Sequence, residues 1–228
     1  MKKAFGRFFP STRHEPLREI HISARACGYR AIQYAELNAC RRKLLELRLI
    51  GLDSKGIGFG NLSVRDGATR NFYVTGSATG GLPRLSLTDC VRVVDSDFKK
   101  NWLRYEGTAI PSSESLTHAA IYQSDPSTSA VIHCHDPVLW ATLLGRAPTT
   151  SETVAYGTPE MAYEIMRLFT VSDARSRNIF VMAGHEGGIL AFGKNFEDAF
   201  EVVMGELRTS GPCIENGFPE RIPARHDG

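Results

Sequence analysis

The sequence predicts an α/β fold: a single three-layer α/β/α domain on a central, mostly antiparallel sheet. Short apolar runs of strand character are grouped through the middle of the 228-residue chain, and segments of helical periodicity flank and separate them. Two of these runs, joined across the turn Asp66-Gly67, read as a hairpin pair. No internal repeat or low-complexity stretch interrupts the pattern, and the chain is long enough to bury a sizeable core. The expected boundaries are 1–30 for a polar, irregular lead-in, 31–207 for the domain and 208–228 for a C-terminal tail.

Asn38 to Ile50 is expected to be the first helix, with Leu44, Leu45, Leu47 and Leu49 as its apolar stripe and Gly51 as its stop. Asn61–Val64 and Phe72–Val74 are the hairpin strands. Leu87-Thr88-Asp89 opens a strand over Val91–Val94, and Tyr105–Ala109 reads as another before the turn at Pro111. Ser115–Gln123 follows as an amphipathic helix. Ser112 or Ser113 is the expected N-cap, which places Glu114 in the first turn, where the helix dipole favours a carboxylate. Ala130–His135 is a strand, and Val138–Leu144 a helix capped by Asp136. Pro159–Phe169 is a helix with proline in its first turn. Ile179–Met182 and Ile189–Phe192 are strands suited to pairing, and Phe196–Leu207 is the last helix.

Composition limits the function. A formal charge of +2 is too small to argue for nucleic acid, and Lys2-Lys3 and Arg41-Arg42-Lys43 read as solvated faces. Five scattered cysteines without paired spacing argue for a reducing compartment rather than a disulfide framework. No segment is apolar enough for long enough to span a membrane. The basic N-terminus is broken by Arg7 and Pro10 and lacks a signal-peptide core. The cytoplasm is the expected location, with no nucleic-acid or membrane partner.

The strongest chemical signal is His133-Cys134-His135 at the end of the run Ala130-Val131-Ile132. Strand alternation puts residues i and i+2 on one face, so the two imidazoles project side by side and Cys134 points away. Taken alone, His-x-His is equally well two locally bonded histidines. Gly184-His185-Glu186-Gly187-Gly188 adds a third histidine in a glycine-rich turn at a strand end, where it could also be an ordinary turn residue. Glu114 lies at a helix start, where it could serve only the dipole. Taken together, three histidines and a carboxylate so placed point to a metal site. A three-histidine set with an open position fits catalytic better than structural zinc. Three imidazoles also suit other divalent transition metals.

In chain order the pieces are Gly60-Asn61-Leu62-Ser63-Val64-Arg65, Val74-Thr75-Gly76-Ser77, Pro111-Ser112-Ser113-Glu114 with His118, His133-Cys134-His135 and Gly184-His185. This order resembles the class II aldolase/adducin family, the zinc-dependent family of fuculose-1-phosphate aldolase and ribulose-5-phosphate 4-epimerase, over about Asn38 to Leu207. The resemblance implies zinc on His133, His135 and His185, with Glu114 as the acid/base. It implies that Asn61, Gly76, Ser77, Ser112 and Ser113 hold a phosphate or other anionic group. It also implies a homo-oligomer, a tetramer with the site between subunits. The chain departs from the family pattern in three places. The loop after His185 is longer, so that Glu186 could face the site. The stretch from His135 to Gly157 is short, with Tyr156 not equated to the family's tyrosine. The tail after Leu207 holds no tyrosine or tryptophan.

The preferred function is a zinc-dependent lyase on a small hydroxy-carbonyl substrate, by aldol-type cleavage of a sugar phosphate or similar anion. Epimerisation and decarboxylation can run through the same metal-stabilised enolate. The rival class is a non-catalytic, adducin-like structural module, against which the retained histidines argue. A metal-dependent hydrolase would want a second carboxylate cluster, and none stands out.

Overall fold

The protein, seen in a computed structural model, is described at residues 18–23 and 31–210, with the side chains of 18–23, 31 and 32 left aside. The elements in order are β1 (Arg18–Ser23), α1 (Ala31–Glu46), β2 (Gly51–Leu52), β3 (Gly58–Phe59), β4 (Asn61–Arg65) and β5 (Phe72–Thr75). β6 (Cys90–Asp97), β7 (Trp102–Glu106), α2 (Ser115–Ser124), β8 (Ala130–His135) and α3 (Pro137–Leu143) follow. α4 (Pro159–Val171), α5 (Ala174–Arg177), β9 (Ile179–Val181), β10 (Gly188–Gly193) and α6 (Phe196–Ser210) complete the described chain.

Eight strands form one sheet in the order β1-β7-β6-β5-β4-β8-β10-β9, while β2 and β3 make a separate ribbon. Every pairing in the sheet is antiparallel except β1 with β7. Alternation along the strands builds two cores. Ala130, Ile132 and Cys134 of β8 pack with Ile189 and Ala191 of β10 against α1, α3 and α6. Val131, Leu190 and Phe192 turn the other way, against α2 and α4. Helices therefore cover both faces, which is the three-layer α/β/α arrangement with a mostly antiparallel sheet.

Several boundaries differ from the sequence reading. The first helix runs Ala31–Glu46, not Asn38–Ile50, and Gly51 is not its stop. Arg48, at φ 56°, closes it: Arg48 N–H donates to Leu45 O at 2.9 Å and Leu49 N–H to Leu44 O at 2.9 Å. This is the pairing of a Schellman C-cap with arginine in the usual glycine position, and Leu44 and Leu49 supply its apolar contact. The strand expected at Tyr105–Ala109 is Trp102–Glu106, because Leu103 and Tyr105 are the inward pair and Gly107 at φ 136° leaves the ladder. The lead-in expected to be irregular contributes β1, which adds a parallel edge strand beside β7. The tail boundary at 207 falls inside α6, and residues 211–228 lie outside the described part.

Asp136 caps α3 as expected, its Oδ1 accepting from Leu139 N at 2.8 Å. No described helix is long and apolar enough to cross a membrane. Cys40, Cys90 and Cys134 are buried.

Candidate metal centre

β8 is central in the sheet, between β4 and β10, so its C-terminal residues are held on both sides. Asn61 stands opposite His133 on β4, and Gly188 stands opposite His135 on β10. Because Cys134 fills the α1/α3/α6 core, both histidine rings project from the other face, with centroids 4.8 Å apart. His185 arrives from the turn between β9 and β10. Its N–H donates to Met182 O at 3.1 Å, and its carbonyl accepts from Gly188 N at 2.8 Å. A Cβ at position 188 would lie 2.6 Å from His185 Cδ2, so only glycine lets the ring sit there. The ring lies 5.4 Å from His133 and 4.6 Å from His135, centroid to centroid. One nitrogen from each of the three histidines falls within 4.8 Å of the others.

Glu114 comes from the start of α2. It is the N-cap residue itself, making no side-chain cap bond, rather than a first-turn residue capped by Ser112 or Ser113. Ser112 closes the turn through its carbonyl, which accepts from Ser115 N at 3.0 Å and Ser115 Oγ at 2.6 Å. The Glu114 carboxylate is thereby freed for the site. Its Oε2 accepts from Asn61 Nδ2 at 2.8 Å and contacts His133 Nδ1, while Oε1 lies 3.9 Å from His185 Nε2.

The electrostatics suit metal binding. Burial alone would raise the Glu114 carboxyl, but His133, His185 and the Asn61 donor outweigh it and hold the group at about 2. Burial, together with the neighbouring His133, lowers His135 to about 3 and His185 to about 4, the latter partly offset by Glu114. At neutral pH these two rings are uncharged imidazoles, the form that donates a lone pair to a metal. Buried His133 Nε2, Glu114 Oε1 and Asn61 Oδ1 make no hydrogen bond. Orphaned polar atoms in a buried site call for an absent ion or water, so this nitrogen-rich donor set fits a divalent transition metal.

A cavity of about 500 Å³ opens over the histidines. All nine residues singled out in the sequence, Asn61, Gly76, Ser77, Ser112, Ser113, Glu114, His133, His135 and His185, line it. The 76–80 loop forms part of its wall. Gly76 N–H is taken by Asp89 O at 2.7 Å and Ser77 N–H by Ile110 O at 2.7 Å. The N–H groups of Ala78 and Gly80 have no acceptor among the described residues, so they and the Ser77 hydroxyl are the groups left for an anion. Glu186 is exposed and does not line the cavity. Other lining residues were not assigned from sequence, three of them aromatic or cationic. Tyr156 packs on His185 at 4.1 Å between centroids, Phe59 lies 5.4 Å from His135, and Arg48 stands at the rim. Tyr156 could have been flagged by its place before Gly157-Thr158-Pro159. Nothing local in the sequence marks Arg48.

The family model described as "Class II Aldolase and Adducin N-terminal domain" matches residues 48–205, which contain the whole site. The chain belongs to the class II aldolase and adducin family. Solved structures place it within that family as a divergent member. An L-fuculose 1-phosphate aldolase is 25% identical with a TM-score of 0.62, the match covering 80% of this chain and 84% of the other. An L-fuculose-1-phosphate aldolase from Thermus thermophilus is 18% identical with a TM-score of 0.56, covering 81% and 100%. A sugar-phosphate aldolase from Thermotoga maritima is 15% identical with a TM-score of 0.57, covering 78% and 92%. The last two likenesses bear on the class II aldolase fold alone.

Proposed function

We propose that this chain is a zinc-dependent lyase that cleaves the aldol C–C bond of a small hydroxy-carbonyl substrate bearing a phosphate or similar anionic group. The observation that carries the reading is one cavity lined by three imidazoles, by a carboxylate with one oxygen unpaired, and by a loop with unpaired N–H groups at Ala78 and Gly80. His133, His135 and His185 would hold the metal. Bound there, zinc would polarise the substrate carbonyl and take up negative charge developing on its oxygen.

The chain's own residues do the rest. Glu114, already ionised at neutral pH, accepts the proton of the hydroxyl β to the carbonyl as the C–C bond breaks and the electron pair moves toward the carbonyl oxygen. The same carboxyl then returns the proton to the carbon of the enediolate fragment, which restores the carboxylate and releases the second carbonyl product. Asn61 keeps the carboxylate turned toward the histidines. The Ala78 and Gly80 amides, Ser77, Ser112 and Ser113 bind the anionic end, which fixes the reacting carbon relative to Glu114. A homotetramer is part of this proposal. Exposed Ile57 and Tyr156 at the cavity and the nearby ribbon residue Leu52 give an apolar rim that a second copy would cover.

The test is metal content by elemental analysis of protein purified without added metal, wild type beside His133→Ala. About one zinc per chain, lost in the variant, is expected for a three-histidine site, followed by cleavage activity on hydroxy-ketone phosphates. A wild type that takes up no stoichiometric metal even on reconstitution rules the lyase out.

A further inference from the structure

Arg41 of α1 is fully buried, at 0% exposure, and is the largest sealed side chain among the described residues. A buried guanidinium normally meets a carboxylate, because an unpaired charge in the interior is costly. Arg41 instead sends its Nη2 donors to backbone carbonyls: Thr79 O at 2.8 Å, Leu82 O at 2.8 Å and Gly80 O at 3.4 Å. Its Nε and Nη1 make no hydrogen bond at all. The carbonyls it grips belong to the loop that lines the cavity.

That grip sets the loop's polarity. In a trans peptide the C=O and the following N–H point in opposite directions. Turning Thr79 C=O toward Arg41 therefore turns Gly80 N–H away from it, and turning Gly80 C=O toward Arg41 does the same for Gly81 N–H. The loop cannot rotate out of this orientation. A Cβ at Gly80 would meet Phe59 O at 2.5 Å and Gly51 O at 2.6 Å, so the β2–β3 ribbon clamps it from the other side. The loop is thus a layer of oriented peptides between the buried cation and the cavity, with the Gly80 and Gly81 N–H groups directed away from Arg41.

We propose that Arg41 is a positioning residue for anion recognition: it orients the Thr79–Gly80 peptides, and its charge, which no described carboxylate contacts, is the fixed counter-charge of the anionic group bound on the loop's cavity face. The inference rests on reading the cavity as the site of an anionic substrate and adds a residue that never touches that substrate. It explains why Arg41 is sealed in the core with no described carboxylate in ion-pair contact. The bound anion completes the pair across one layer of backbone, where the low dielectric makes the interaction stronger than in water.

The test uses the full, zinc-loaded chain with inorganic phosphate as the probe. Acetohydroxamate, a bidentate zinc ligand that carries no phosphate, is held at saturation so that phosphate reads the loop and not the metal. In Arg41→Met, phosphate affinity should fall by about tenfold, while acetohydroxamate affinity and zinc content stay at wild-type levels. Arg41→Lys, which keeps the charge, should return phosphate affinity to within about threefold of wild type. Should Arg41→Met fail to fold, Arg41→Gln, which keeps one donor for the loop, is read in its place. Unchanged phosphate affinity in the neutral variant overturns the proposal, as does an equal loss of phosphate and acetohydroxamate, which would mark Arg41 as structural only. A wild type that does not bind phosphate at all would instead remove the anionic-substrate reading itself.

Discussion

Asn61 faces His133 directly across the β4–β8 ladder. Its amide nitrogen donates to Glu114 Oε2 at 2.8 Å while standing 3.1 Å from His133 Nδ1. One short side chain thus fixes the spacing between the proposed base and a proposed ligand, which come from a helix start and a strand end. Partners of this kind set ligand orientation and basicity. Asn61→Ala should leave the fold intact and lower metal affinity or turnover by about 10- to 100-fold. Chelator competition and steady-state kinetics would show it, and wild-type values in both would remove Asn61 from the site.

Glu114→Gln separates the base from the metal. The amide keeps the size of the side chain but cannot take up a proton, so turnover should fall by about 10²–10⁴. Zinc content should remain near that of the wild type, because three histidines stay in place. A variant that turns over normally would show that the proton goes elsewhere.

Gly188→Ala tests the turn that delivers His185. The added methyl would stand 2.6 Å from His185 Cδ2 and must push the ring aside. Zinc affinity should weaken by about tenfold or more, with little change in secondary structure by circular dichroism. Unaltered affinity would mean that His185 does not hold the ion.

The metal-free protein should be acid-labile. His118 is fully buried with its Nδ1 2.6 Å from Ser63 Oγ, and burial pushes its pKa down to about 3. The unfolded chain takes a proton on this residue near its ordinary value of about 6.5, but the folded chain does not until about pH 3. Protons therefore favour the unfolded state across that window, and stability falls as pH drops below about 6.5. His135 and His185, lowered to about 3 and 4, act in the same direction. Urea midpoints of the metal-free protein at pH 7.5, 6 and 5 should fall in that order, and a flat series would contradict the burial of these rings.

The chemistry-bearing residues were legible because strand alternation is local. In the run ending at His133-Cys134-His135, the period of two alone settles which side chains share a face. The same holds for the hairpin of β4 and β5 and for Asp136 as the cap of α3. Element ends were harder to read. Arg48 ends α1 in a backbone region that usually takes glycine, and the buried contact of Leu44 with Leu49 outweighs that preference. β1 has no local signal either, since its strand character comes from pairing with β7, far away in sequence.

By itself the sequence determined the three-layer class, the family and the set of residues that share the cavity, because periodicity and motif spacing are properties of the chain taken a few residues at a time. Only the tertiary structure decided what those residues do to one another. Glu114 stays ionised in a buried position because His133, His185 and Asn61 converge on it from separate elements, outweighing the desolvation that would neutralise an isolated carboxyl. Likewise, the basic run Arg41-Arg42-Lys43, which reads as a solvated face, is split by the fold: Arg41 is sealed behind the cavity loop while Arg42 remains in solvent. Burial and long-range electrostatics depend on neighbours that only folding brings together, so no local pattern could reveal them.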